Sequence, residues 1–201
     1  MNYRNYTPQE NEFFAENELI PIIPKFKEES FSFVGGTYGP FRPAKPVVVP
    51  IWLAIYLKSR GRCQVQLPKW LDYDHLKRVK AEEMELSIDF SSEIPYYYYE
   101  IATLLFNNCS DEFSINNGQG GSSATSGVQR VKSIIEDIQE LRREKLLRML
   151  KNIDPVTPVK YLGTCGSVEI NQIRPSFTTA YSIAHQMQNI VEKKSDPTEN
   201  Q

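Results

Sequence analysis

A chain of 201 residues with 40% hydrophobic, 24% charged and 11% aromatic side chains has the composition of a soluble globular protein, long enough for one sizeable domain or two small ones. Its formal net charge of −2 argues against general polyanion binding, because duplex binding rests on neutralising several phosphates. The longest apolar run, Ile51 to Leu57, is far short of the roughly 20 residues a membrane helix needs. Residues 1–10 lack a signal peptide's basic flank and apolar core, so a cytosolic or nuclear protein is expected.

From the N-terminus, "PQENEFFAENEL" predicts a short helix over Gln9 to Asn17 with Phe13 and Phe14 as its apolar contacts. Seven of the 13 prolines lie in residues 1–50, and three short β-like runs fall among them: Leu19 to Ile23, Phe31 to Val34 and Val47 to Val49. Phe31, Ser32 and Phe33 alternate as a half-buried strand does, and Gly35–Gly36 suits a tight turn. Pro21 and Pro24 lack ladder donors, which predicts an edge position for the first strand. Pro50 then suits a first helical turn and Gly61 the residue just past a helix end. The spacing predicts a helix from Ile51 to Arg60, apolar all round and therefore buried on several sides. Trp52 sits in it as a buried hub residue.

The rest of the chain is helical in pattern. Leu71 to Leu86 reads as an acidic surface helix, capped by Asp72 or Asp74, with Leu76, Val79 and Leu86 facing inward. Pro95 opens another, with Tyr97, Tyr98, Ile101, Leu104 and Leu105 on one face. "SINNGQGGSSATSG", residues 114–127, is low in complexity and predicts a disordered loop. Val128 to Lys151 is the longest helical pattern, its stripe including Val131, Ile135, Ile138, Leu146 and Met149, and residues 154–158 end it. Pro175 opens a last helix to about Lys193, and a polar tail closes the chain.

Chemistry is sparse. Cys63, Cys109 and Cys165 are odd in number and widely spaced, so neither a disulfide framework nor a zinc site is expected, and three reduced thiols remain. "GTCGS", residues 163–167, with His185 as base, would make a nucleophilic cysteine if the side chains met. The plainer reading is a turn before a helix. "VGGTYG", residues 34–39, lacks the lysine and glycine spacing of a nucleotide loop. Glu82, Glu83 and Glu85 form a charge run of the kind that is usually solvated, with nothing to pair them for acid–base work.

Two features stand out. In "YYYY", residues 96–99, four successive helical side chains point four ways. That suits either a protein interface, where tyrosine is enriched, or a division into two core and two exposed rings. Base stacking is a third option, without the glycine–aromatic signature of a nucleic-acid module. Arg142 falls inside the apolar stripe of the long helix. Either its stem lies along the stripe and its head reaches water, or its guanidinium pairs with a carboxylate on a neighbouring helix or chain.

A small β module, a helical portion with broad apolar faces and no catalytic set describe an assembly subunit. The sequence also resembles the second Psf subunit family of the GINS complex of eukaryotic DNA replication. The resemblance rests on "EFFAENELIPIIPKF" (12–26), "VGGTYGPFRPAKPVVVPIWLAIYLK" (34–58), "LPKWLDYDHLK" (67–77), "PYYYYEIATLLFNN" (95–108), the Asp137, Arg142, Lys145, Leu146 pattern, and "VEINQIRPSF" onward.

The resemblance implies an α+β chain: a small β-rich B domain with its joining helix over residues 1–60, a larger all-α A domain over 61–194, and a polar tail over 195–201. It implies a non-catalytic subunit of a heterotetramer with the other three GINS subunits. That tetramer joins the Mcm helicase ring and the Cdc cofactor in the nuclear CMG helicase, serving initiation and elongation. No cofactor, metal or membrane is implied, and nucleic acid is met only indirectly or weakly. Trp52, Tyr97, Tyr98, Leu105, Ile138, Arg142, Lys145 and Leu146 are the candidate interface or structural residues. A small cysteine-dependent enzyme using Cys165 and His185, or a single-strand-binding adaptor using the tyrosines, is the alternative.

Overall fold

A computed structural model describes residues 6–85, 90–115, 124–151 and 164–195. Helix α1 (Pro8–Ala15) begins with a reciprocal capping box: Thr7 Oγ1 accepts from the Glu10 amide, and Glu10 Oε2 accepts from the Thr7 amide at 2.8 Å. Its buried residues are Asn11 and Ala15, whereas Phe13 and Phe14 are exposed, against expectation. The helix docks by a polar side chain and a small one because Asn11 meets the buried carboxylate of Glu100.

Strand β1 (Leu19–Pro24) pairs antiparallel with both β4 (Val47–Pro50) and β5 (Cys63–Val65), giving the order β4-β1-β5. The edge position expected from Pro21 and Pro24 is therefore wrong: β1 is the central strand. Each proline stands where one neighbour's ladder runs out. Pairing with β5 begins at Ile22↔Val65, one residue past Pro21, and pairing with β4 ends at Ile22↔Val47, two residues before Pro24. Only their carbonyls are used, Pro21 accepting from Gln66 and Pro24 from Ala44.

β2 (Phe31–Phe33) ends in the expected turn, and β3 (Gly36–Tyr38), which was not anticipated, pairs back on it as a hairpin with Gly36 at φ +146° after the turn. β5 was not anticipated, and it pairs with β1 although it lies beyond residue 60.

Helix α2 (Ile51–Ser59) follows β4 directly and ends at Gly61, whose φ of +66° closes the helix as a glycine can. The first amides of α2 are satisfied by carbonyls of the chain between α1 and β1: Ile51 N–H donates to Glu18 and Trp52 N–H to Glu16. Ile51, Leu53, Ala54 and Leu57 are buried under the sheet. Trp52 is only half-buried, with the Phe33 ring edge-on at 5.1 Å, and Tyr56 is exposed. The helix thus has one open side.

The helical half comprises α3 (Tyr73–Glu85), α4 (Tyr98–Asn108), α5 (Glu112–Ile115), α6 (Ala124–Lys151) and α7 (Ser167–Ser195). Asp72 opens α3 by accepting from the Asp74 amide at 3.3 Å, and Leu76 and Val79 face inward as expected. The inward assignment of Leu86 lies outside the described residues.

Helix α4 starts at Tyr98 rather than at Pro95, the residues before it forming a turn in which Tyr98 N–H bonds the Pro95 carbonyl. The expected loop over 114–127 is trimmed at both ends, by α5 to Ile115 and by α6 from Ala124; residues 116–123 lie outside the described residues. So do the proposed stop at 154–158 and residues 196–201.

Pro175 does not open the last helix; it lies inside α7, eight residues past its start. The rule that places proline in a first turn is a preference, and the start is instead anchored at Ser167, which bonds Glu100 and the Tyr96 carbonyl of α4 and its approach.

Helices α3 and α6 run side by side in the same direction. Arg130 lies over the Tyr73 ring at 4.5 Å, Lys80 pairs with Asp137 at 2.7 Å, and Glu83 meets Arg142 one step further along. One apolar core runs from Ala15 and the sheet through α2, α3 and α4 to Ile138 of α6, so the β module and the helices share it. Leu105 and Ile138 belong to it. A second, smaller cluster holds Phe90, Leu146, Cys165 and Ile173.

Candidate functional site

Between those two clusters lies a buried polar junction. Glu83 is fully buried, and Arg142 and Lys145 nearly so. Arg142 Nε donates to Glu83 Oε1 at 2.8 Å, Arg142 Nη2 donates to the Ser91 carbonyl at 2.7 Å, and Lys145 Nζ donates to Glu83 Oε2 at 2.5 Å. The Ser91 amide also donates to Glu83 Oε1, at 2.9 Å. Both carboxylate oxygens are thus occupied by charge-assisted bonds, which is what a buried ion needs. The guanidinium lies 5.5 Å from the Phe90 ring centroid and 5.4 Å from that of Tyr98, one ring from each cluster.

Of the two readings of Arg142, the paired one holds. Its head does not reach water, and its carboxylate is in the same chain. Glu83 is the correction: placed in a solvated charge run by sequence, it is the anion of the junction. The signal was available, since Leu76, Val79 and Glu83 recur at +3 and +7 on one face of α3, so Glu83 lies in that helix's apolar stripe as Arg142 lies in that of α6.

The junction continues through Tyr98. Its hydroxyl donates to Glu169 Oε1 of α7 at 2.6 Å, and burial, with the Glu169 carboxylate beside it, pushes the phenol well above its ordinary range. Glu100, two residues further along α4, accepts from Ser167 Oγ at 2.5 Å and from Asn11 Nδ2 at 3.3 Å. Burial raises the pKa of Glu100 above the ordinary carboxylate value, and the bonds from Ser167 and Asn11 oppose the rise.

Three helices therefore meet at Glu100: α1 by Asn11, α4 itself, and α7 by its first residue. The Ser167 amide adds a bond to the Tyr96 carbonyl at 2.9 Å. Gly166 is needed for close approach: a Cβ there would stand 2.5 Å from Glu169 Oε2 and 3.1 Å from the Tyr96 carbonyl oxygen.

A second polar contact ties the β module to the helices. Lys58 of α2 reaches Asp111 at 2.9 Å and Glu112 at 2.5 Å, and Glu112 also accepts from Gln64 and the Val65 amide of β5.

Of the tyrosine run, Tyr98 is core, Tyr97 and Tyr99 are half-buried and Tyr96 is exposed. Tyr96 and Tyr97 pack edge to face at 4.7 Å. Cys165 is buried, and that burial, with Glu169 nearby, pushes its thiol up to about 11, the reverse of what an activated nucleophile needs. The His185 side chain lies outside the described residues. Among the described residues no cluster of ligands could hold a metal, and no helix is long and apolar enough to cross a membrane.

The chemistry of these contacts is mechanical: they fix helices to one another. Large apolar side chains remain exposed, Leu19 and Val48 on the sheet and Ile183 and Met187 on α7. Leu19, Pro21, Ile23 and Val48 fall on the sheet face opposite Ile20, Ile22 and Val49 by register.

Comparison with known proteins gives matches along most of the chain. Residues 7–66 match the PSF2 N-terminal domain and residues 70–180 the GINS complex protein helical bundle domain. The chain is 32% identical over 173 residues to "DNA replication complex GINS protein psf2" of Schizosaccharomyces pombe, covering 86% of each chain. It is 30% identical to PSF2 of Debaryomyces hansenii, over 94% of this chain and 85% of that one. It is 34% identical to human PSF2 over 68% of this chain and 67% of that one.

Proposed function

Because the chain belongs to the PSF2 family of DNA replication complex GINS proteins, we propose that it serves DNA replication as a non-catalytic scaffold subunit of a GINS heterotetramer. Its partners on this reading are the other three GINS subunits, and the tetramer works with the Mcm helicase ring and the Cdc cofactor as the nuclear CMG helicase. Hydrolysis of ATP then belongs to the ring, and this chain contributes shape.

The observation that carries the reading is where the polar groups are spent. Charged side chains that could do chemistry are buried against each other at Glu83, Arg142 and Lys145, while large apolar side chains stand outside on the sheet face and on α7. Obligate interfaces bury roughly 2,000–5,000 Å² and resemble a core cut in half, and this distribution suits them. Half-buried Tyr97 and Trp52 are placed to support such contacts at α4 and α2, and buried Leu146 supports them only by fixing α6.

The test is co-expression with the other three GINS chains followed by size-exclusion chromatography. The chain is expected to co-elute with all three and to aggregate when expressed alone. A stable, monodisperse monomer that stays separate from the other chains would overturn the reading.

A further inference from the structure

Charge is unevenly divided along this chain. Residues 19–66, which contain the sheet and α2, hold seven lysines and arginines against two acids, Glu28 and Glu29, whereas acids outnumber bases in the remainder. Among the described residues, Lys58 alone of these seven has a carboxylate within ion-pair reach. Lys25, Lys27, Arg42, Lys45, Arg60 and Arg62 have none, in a protein whose interior cations are carefully matched.

Part of that charge sits beside exposed rings. Trp52 and Tyr56 lie four residues apart on the open side of α2, and Arg60 follows directly after the last residue of the helix. Arg60 lies 4.9 Å from the Tyr56 ring centroid, and Phe33 packs edge-on against Trp52 at 5.1 Å. Phe33 is 42% exposed, Tyr56 is 52% exposed, and Val34 at the hairpin tip is fully so. The result is a continuous ridge running from the β2–β3 turn down α2, apolar at one end and cationic at the other. Tryptophan, tyrosine and arginine in one desolvatable cluster are the residue types that dominate binding energy at protein interfaces.

We propose that this ridge docks an acidic segment of a partner protein, with a hydrophobic residue of that segment against Phe33 and Trp52 and a carboxylate on Arg60. Charge complementarity selects the anion. Ring geometry selects carboxylate over nucleic acid. A base-stacking platform needs open ring faces, but Arg60 covers a face of Tyr56 and Phe33 presses on Trp52. A guanidinium stacked on a ring keeps its in-plane N–H edge free, and that edge matches a carboxylate bidentately. Stacking also holds the fork in place before the partner arrives, so less side-chain freedom is lost on binding.

The experiment uses the chain purified within its four-chain complex and a fluorescent peptide of about a dozen residues alternating glutamate with leucine and phenylalanine. A single-stranded oligothymidylate and a lysine-substituted version of the peptide serve as rival probes. The acidic peptide is expected to bind, the lysine version not. Arg60→Glu is expected to weaken binding by about tenfold or more and Arg60→Lys by less, with unchanged melting temperature because Arg60 is exposed. Failure of the acidic peptide to bind would overturn the proposal. So would equal affinity for the Arg60→Glu variant, or tighter, Arg60-dependent binding of the oligonucleotide.

Discussion

Arg142 and Glu83 stand 59 residues apart in sequence, and Nε of the first donates to Oε1 of the second at 2.8 Å where neither side chain exposes more than 1% of its surface. Lys145 completes the arrangement, so one buried anion holds two cations, and Phe90 and Tyr98 supply ring faces beneath them.

Glu83 is the residue on which this junction depends most. Glu83→Ala takes the carboxylate from the buried Arg142 guanidinium and from one of the bonds of Lys145, and removal of one partner of a buried pair costs roughly 3–5 kcal/mol. Denaturant unfolding is expected to show a loss of that order, larger than for Glu82→Ala. A change smaller than that of the neighbouring Glu82→Ala would mean that water or another acid replaces the carboxylate.

Gly166→Ala is expected to destabilise by about 1–3 kcal/mol through overpacking. The new methyl would stand 2.5 Å from Glu169 Oε2, 2.9 Å from Tyr98 Cε1 and 3.1 Å from the Tyr96 carbonyl oxygen, and the last of these is backbone that does not swing away. Thermal unfolding of the variant checks this. Gly35→Ala, where a methyl meets nothing within 4 Å, is the control and is expected to be nearly neutral.

Glu100 gives stability a pH dependence of a definite sign. Burial raises its pKa in the folded chain above the ordinary value of 4.5, despite the bonds from Ser167 and Asn11. Over the interval between the two values the folded state binds more protons than the unfolded one, so stability falls as pH rises. The contribution is full below pH 4.5 and is lost as pH climbs through the raised folded value. Glu100→Gln is expected to flatten that part of the stability–pH curve. An unchanged slope would show that another group sets it.

All three thiols are expected to resist alkylation near neutral pH. Burial comes first among the causes that push Cys63 and Cys165 up to about 11 and Cys109 up to about 12, and the thiolate is the reactive form. Labelling followed by mass spectrometry in the folded chain is expected to be slow and to become fast in denaturant. Rapid labelling of Cys165 alone would revive a nucleophilic role.

Local signals carried much of this fold. The turn at Gly35–Gly36 and the helix bracketed by Pro50 and Gly61 are decided by neighbours in sequence, and the α+β division and the longer helices followed from periodicity. What was not legible depends on distant partners. Pro21 and Pro24 suggested an edge because a missing donor matters only where a ladder needs it, and that depends on the register of β4 and β5. Trp52 was expected to be buried because its helix is apolar on every side, yet the sheet covers one side only. Pro175 signalled a helix start that the Ser167 and Glu169 contacts had already placed eight residues earlier. At the junction, Arg142 was visible as a charge out of place in a stripe. Its partner was equally out of place on α3, but a run of glutamates around position 83 disguised it.

The order β4-β1-β5 bears on how the chain is made. The central strand leaves the ribosome first, and its two flanking partners emerge only with residues 47–50 and 63–65. Until then the ladder edges of β1 are open on both sides, and the apolar face of α2 has no sheet to cover. Closure of the module is therefore tied to emergence of about one further stretch of chain rather than to each hairpin in turn, since domains generally fold as units during synthesis. Nascent chains stalled with residue 45 outside the ribosome should be digested by protease across the β region, and protection there is expected only once the helices that share its core, through α6, are also outside.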